Sequence, residues 1–194
     1  MISYYDTPNY CVAFNPKTGC TSFAKAIILS FYPDIYNQIK DSFDEYKYGQ
    51  GYIVRCPILQ NPEKPIVCLV RNPIDRFCSA VNQTKISLEE AIDSLMHDKK
   101  CNFPNFSKPQ QIRKNIHFIE QNKWLKQTCH LFKFPDHIDS MSEFIGIKGQ
   151  MPHLNQSNKK IFLTKDQFDF IHFYYYDDIK LFEQIKEPNT IVKV

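Results

Sequence analysis

The sequence predicts an α/β protein: one domain with a mostly parallel central sheet flanked by helices. Three observations carry that expectation. Two apolar runs, Tyr10 to Phe14 and Ile66 to Val70, each lead through a short polar turn into a helix-like segment. Strands that alternate with helices in this way build parallel sheets covered on both faces, with ligands at the carboxyl ends of the strands. A third run, His130 to Phe134, has the residues of a later strand, and no Gly/Ser-rich linker, internal repeat or low-complexity tract divides the 194 residues. One domain spanning residues 1–194 is therefore expected.

Taken in order, Tyr10-Cys11-Val12-Ala13-Phe14 is short, apolar and bounded by Pro8 and Pro16, the pattern of a buried strand. A helix is expected from Ser22 to Phe31, since Phe23, Ala24, Ala26, Ile27, Ile28 and Phe31 suit packing on a sheet, and Pro33 is expected to end it. Asp34 to Gln60 is weakly defined, with a short strand near Tyr52 to Arg55. Ile66 to Val70 is continuously apolar, as in a strand buried on both faces. The next helix opens near Pro73 and Ile74, because proline at the first helical position sacrifices no hydrogen bond; Ile74, Phe77, Cys78 and Val81 then share one face. Ser87-Leu88-Glu89-Glu90 has capping-box spacing and opens a helix from Leu88 to Met96. Cys101 to Pro109 reads as a proline-punctuated loop, followed by a helical stretch containing Ile112, Ile116 and Ile119. Thr164-Lys165-Asp166-Gln167 is a second capping box, expected to open an aromatic-rich helical run to about Ile185.

The chemistry concentrates in two turns. Asn15-Pro16-Lys17-Thr18-Gly19-Cys20-Thr21-Ser22 places a lysine, a glycine and hydroxyls between a strand and a helix start. The unpaired N–H groups and positive dipole end of a helix start favour a bound anion, and Gly19 lets the main chain come close to it. A triphosphate loop, G-x-x-x-x-G-K-[ST], is excluded by order, since Lys17 precedes Gly19 and no glycine lies upstream. The second turn, Arg71-Asn72-Pro73-Ile74-Asp75-Arg76-Phe77-Cys78-Ser79-Ala80, puts Arg71 at a strand end and Ser79 two turns along a helix, both able to face an anion over the sheet edge. A solvated ion-pair cluster of Arg71, Asp75 and Arg76 is the plainer alternative for that segment.

Pro16 to Ser22 resembles the 5′-phosphosulfate loop of sulfotransferases, the enzymes that use 3′-phosphoadenosine 5′-phosphosulfate (PAPS). Val70 to Ser79 is similar to their 3′-phosphate pattern, V-R-[DN]-P-x-x-R-x-x-S. The resemblance implies a P-loop-like sulfotransferase fold and transfer of a sulfuryl group from PAPS to an acceptor hydroxyl. It implies that Lys17 neutralises charge on the oxygen joining sulfate to the leaving nucleotide. Thr18, Thr21 and Ser22, with the N–H groups of the turn through Gly19 and Cys20, would hold the 5′-phosphate. Arg71 and Ser79 would hold the 3′-phosphate, with Arg76 structural or peripheral. The family's general base is a histidine in some branches and a glutamate in others. No histidine lies between Ser22 and Arg71, and the carboxylates of that interval are Asp34, Asp41, Asp44, Glu45 and Glu63. Glu45 is the choice, because glutamate-using members place the base at a similar remove after the first helix; Asp44 and His153 are alternatives. Lys148 to Asn155 resembles the loop that closes over the nucleotide. Tyr175 to Phe182 is similar to the Tyr-x-x-Asp-x-x-Leu-Phe run near the end of carbohydrate sulfotransferases, which implies a glycan acceptor. Two other classes stand beside this one: a PAPS-binding pseudoenzyme without a working base, and a kinase with a deviant loop.

Charge and cysteines narrow the field further. The net charge is +3, with Lys17, Arg71 and Arg76 expected to converge on the site and the later lysines dispersed as on a solvated surface. No recognition helix, zinc finger or aromatic RNA-binding pattern is present, so no nucleic-acid partner is expected. Seven cysteines without C-x-x-C or C-x-x-H spacing argue against zinc. Cys11, Cys68 and Cys78 are read as small buried hydrophobes. Cys20, inside the anion turn, is also considered as a nucleophile, although no cysteine has the arginine six residues later that a C-x5-R phosphatase needs. The longest apolar run is far short of the ~20 residues of a membrane helix, and Met1 to Asp6 lacks the layout of a signal peptide. A soluble cytoplasmic protein with no membrane partner is expected, its oligomeric state unspecified.

Overall fold

Five successive apolar residues, Ile66 to Val70, leave a strand no face to turn to water, and they occupy the centre of the sheet. The structure, a computed structural model, describes residues 4–39, 64–96, 117–125, 128–149 and 160–192. Its elements run β1 (Tyr4–Asp6), β2 (Cys11–Phe14), α1 (Cys20–Phe31), α2 (Pro33–Ile39), β3 (Ile66–Arg71), α3 (Pro73–Thr84) and α4 (Leu88–Met96). A short 3₁₀ turn (Asn122–Trp124), β4 (Cys129–Phe134), α5 (Ile138–Ile145), α6 (Lys165–Tyr174), α7 (Tyr176–Gln184) and β5 (Thr190–Val192) complete it. The five strands lie in the order β1-β2-β3-β4-β5. β2, β3 and β4 are parallel, and the two edge strands are antiparallel to their neighbours.

Alternation along the strands sorts the core into two faces. On one, Val12, Val67, Leu69 and Phe132 pack against Phe23, Ala24, Ile27 and Ile28 of α1 and Met141 and Ile145 of α5. On the other, Ala13, Cys68, Val70 and Leu131 meet Leu125, Leu181 and Ile185. A third cluster joins Phe77, Ala80 and Val81 of α3 to Ala91 and Leu95 of α4 and to Phe118, Ile171 and Tyr175. Each large apolar side chain buried this way contributes about 1.5–3 kcal/mol. Cys11 and Cys68 are buried as expected, whereas Cys78 is only half-buried at the rim of the third cluster. Among the described residues no helix is long and apolar enough to cross a membrane.

Several boundaries differ from the sequence expectation. Tyr10 belongs to a turn whose N–H bonds to Thr7 Oγ1, so β2 begins at Cys11. α1 starts at Cys20, ahead of Ser22. Pro33 does end α1, yet it also starts α2 within the stretch read as weakly defined, since proline suits a first helical position. The two edge strands, three residues each, were too short to register as periodic patterns. Both capping boxes form. The helical run that follows Thr164 is interrupted at Tyr175, whose buried hydroxyl donates to Phe118 O at 2.7 Å. Ile119 lies in a turn rather than a helix. The local carbonyls and N–H groups bond instead to the side chains of Arg76, Tyr175 and Asp178. The strand expected near Tyr52 to Arg55, and Ile112 and Ile116, lie outside the described residues.

Candidate anion-binding site

The first turn is folded around one carbonyl. Asn15 is buried past the end of β2, and its side-chain amide donates to Leu69 O at 3.2 Å, tying the turn to β3. Its own carbonyl accepts the Thr18 N–H at 3.3 Å, the Thr18 hydroxyl at 2.6 Å and the Cys20 thiol at 3.0 Å. Thr18, expected to hold the 5′-phosphate, is instead fully buried with its hydroxyl turned inward, where it closes the turn. Lys17 and Gly19 both have left-handed backbones, with φ of 73° and 76°. Glycine adopts this freely, while lysine carries a cost on the order of 1 kcal/mol. Gly19 offers no capping side chain and the first turn of α1 holds no acidic residue, which leaves the helix start electropositive. Thr21 and Ser22 follow there, largely buried.

Arg71 meets this turn from the end of β3. Its main chain is held by the fully buried side chain of Gln121: Arg71 N–H donates to Oε1 at 3.0 Å, and Nε2 donates to Arg71 O at 2.8 Å. The Gln121 N–H in turn donates to Asp178 Oδ2 at 2.6 Å. The Arg71 guanidinium donates to Lys17 O at 3.0 Å and lies over the Phe134 ring, 5.3 Å from its centroid. Burial lowers its pKa, and Arg76 adds to the fall while Asp75 and Cys78 oppose it. It stays cationic all the same, as arginine does in proteins. The Lys17 ammonium donates to Gln83 Oε1 on α3. Ser79 lies half-buried on the same helix, one turn before Gln83.

Arg76 does not join the other two cations, contrary to the expected convergence. It is fully buried, donates to His117 O at 3.0 Å and Ile119 O at 2.6 Å, and lies 3.9 Å from Asp178. It braces the carbonyls of His117 and Ile119, the structural one of the two roles, structural or peripheral, expected for it. Burial pushes the Asp178 carboxyl up, against the pull of two backbone N–H groups and Arg76. His117, not singled out in the sequence, has its pKa lowered to about 4, first by burial and then by Lys17 and Arg76. Among the described residues its Nδ1 is buried without a hydrogen-bond partner.

Asp34 is exposed in the first turn of α2 and takes part in none of the turn contacts described above. Asp41, Asp44, Glu45, Glu63 and His153 lie outside the described residues, as does the Lys148 to Asn155 loop beyond Gly149. No group of three or more metal-ligating side chains occurs among the described residues. A cavity of about 330 Å³ lined by Phe132, Ser140, Glu143, Phe144, Pro188 and Asn189 includes none of the anion-turn residues.

Sequence reasoning missed Asn15, Gln83, Gln121 and Phe134 as parts of this site. Phe134, an aromatic residue closing a strand at its carboxyl end, was the one with a readable signal. What results is an α/β protein whose two basic turns meet at the carboxyl ends of adjacent parallel strands, where ligands commonly bind in such sheets. Its donors are two cations, the N–H groups of a helix start and neighbouring hydroxyls, a set that fits a ligand with two anionic groups. No known protein family, curated protein or solved structure matches the chain.

Proposed function

We propose that the chain is a sulfotransferase with a P-loop-like fold. It moves a sulfuryl group from PAPS to an acceptor hydroxyl, with a carbohydrate as acceptor and the cytoplasm as its setting. The observation that carries this reading is the 3.0 Å bond from Arg71 to Lys17 O. Two basic segments separated by more than fifty residues in sequence share one turn, as a nucleotide anionic at its 5′ and 3′ sides requires.

When bound, PAPS supplies the sulfuryl group and departs as adenosine 3′,5′-bisphosphate. Positioning and charge stabilisation dominate such an in-line transfer. Lys17 neutralises the charge that grows on the bridging oxygen. Thr21, Ser22 and the N–H groups from Gly19 to Ser22 hold the 5′-phosphate, with Thr18 and Cys20 fixing the turn through Asn15. Arg71 and Ser79 hold the 3′-phosphate. Glu45 takes the proton of the acceptor hydroxyl, with Asp44 and His153 as the other candidates.

Titration calorimetry with adenosine 3′,5′-bisphosphate and with ATP tests the nucleotide assignment, and preference for ATP would sink it. Transfer from labelled PAPS to a panel of glycans, phenols and lipids tests catalysis. Tight binding of the bisphosphate with no transfer to any acceptor would identify a nucleotide-binding protein that is not an enzyme.

A further inference from the structure

We infer that Gln83 is a positioning residue for Lys17, holding its ammonium over the anion turn; the inference rests on the sulfotransferase reading for its catalytic consequence. Lys17 Nζ donates to Gln83 Oε1, across 66 residues of sequence. The backbones at both ends of this contact are fixed. The Lys17 backbone is set left-handed, at φ 73°, and its carbonyl is fastened by Arg71. Gln83 sits on α3, whose start is secured by the Asn72 side chain accepting from the Ile74 and Asp75 N–H groups. Residues four apart on a helix lie on one face, so Ser79 and Gln83 form a line along α3 on the side where Lys17 reaches it. A neutral carboxamide suits the task. It accepts from the ammonium and adds no negative charge that would repel the ligand. A lysine held in this way loses less rotamer freedom when charge develops beside it.

The contact is read directly by trace acetylation of the whole chain with acetic anhydride. The rate at Lys17 is measured by mass spectrometry against that at exposed Lys85. Gln83 is exposed, so Gln83→Leu and Gln83→Glu should fold as the wild type does. Gln83→Leu is expected to raise the relative Lys17 rate at least about threefold, as loss of a hydrogen bond implies, while Gln83→Glu keeps Lys17 protected because it retains an oxygen acceptor. Equal Lys17 rates in wild type and Gln83→Leu would overturn the inference, as would a Lys17 left unprotected in Gln83→Glu. In the transfer assay Gln83→Leu is expected to lower kcat about tenfold, with the affinity for adenosine 3′,5′-bisphosphate within about twofold of wild type. Wild-type kcat in Gln83→Leu, in an enzyme that Lys17→Ala inactivates, would refute positioning alone. Absence of transfer by the wild type would refute the sulfotransferase reading and leave the acetylation result standing.

Discussion

Phe134 lies against Gly19: a methyl group added at Gly19 would come within 2.9 Å of Phe134 Cε2. The same ring carries the Arg71 guanidinium, so one aromatic side chain from β4 sets the level of both basic turns. Gly19→Ala combines this clash with a side chain at φ 76° and should cost about 2–4 kcal/mol in denaturant unfolding. Adding Phe134→Leu should recover the steric part and leave the backbone part. Simple additivity of the two substitutions would show that the ring does not press on the turn.

Arg71→Ala should weaken adenosine 3′,5′-bisphosphate by about 1.5–3 kcal/mol in calorimetry, the range of a charge-assisted hydrogen bond. Arg71→Lys should recover only part of this, because an ammonium reproduces neither the broad contact over the Phe134 ring nor the reach to Lys17 O. Normal binding by Arg71→Ala would remove the residue from the 3′ side.

Lys17 is held in a backbone conformation that lysine does not favour. Lys17→Ala should abolish transfer while leaving the fold intact. Lys17→Gly should abolish it too, yet raise stability by up to about 1 kcal/mol by relieving the left-handed strain. A glycine variant less stable than wild type would mean that the Lys17 side-chain contacts outweigh the strain.

The lowered His117 pKa gives stability a sign with pH. In the folded chain His117 stays neutral down to about 4, while in the unfolded chain it takes a proton below about 6.5. Between those values the unfolded state binds more protons, so stability falls as pH falls, by up to about 3 kcal/mol across the window. The raised Asp178 pKa acts in the opposite sense, because the folded chain holds that proton more readily than the unfolded one. His117→Gln should flatten the decline in urea unfolding between pH 6.5 and 4. An unchanged slope would exclude His117 as its source.

Glu45→Gln should lower turnover with little change in nucleotide affinity, as removal of a base without a binding role requires. Wild-type turnover in that variant would transfer the role to Asp44 or His153.

The central strands and both capping boxes were legible because they are local: apolar runs and hydroxyl-to-carboxamide or hydroxyl-to-carboxylate spacings are readable in a few residues. The two basic turns around Lys17 and Arg71, which the structure brings together, were legible for the same reason. The edge strands were not, since three residues do not establish a period, and their pairing is settled by the neighbouring strand. The supports of the site were hidden for a different reason. Gln121 and Asp178 act through main-chain atoms of residues fifty or more positions away, and an isolated Gln or Asp carries no local mark of such a partner. The inward turn of Arg76 was hidden likewise, because its acceptors are carbonyls of a loop without periodicity.

Gln121 stands between Asp178 and Arg71, and Arg71 holds Lys17. Every described residue proposed to touch the nucleotide precedes α4, yet part of what steadies those residues comes later, from β4, Gln121 and α7. During synthesis the anion turn is therefore made first and finished last. A nascent chain that has exposed Lys17, Arg71 and Ser79 still lacks the Phe134 ring and the Asp178 carboxylate, and a fragment ending after α4 would carry the two basic turns without their frame.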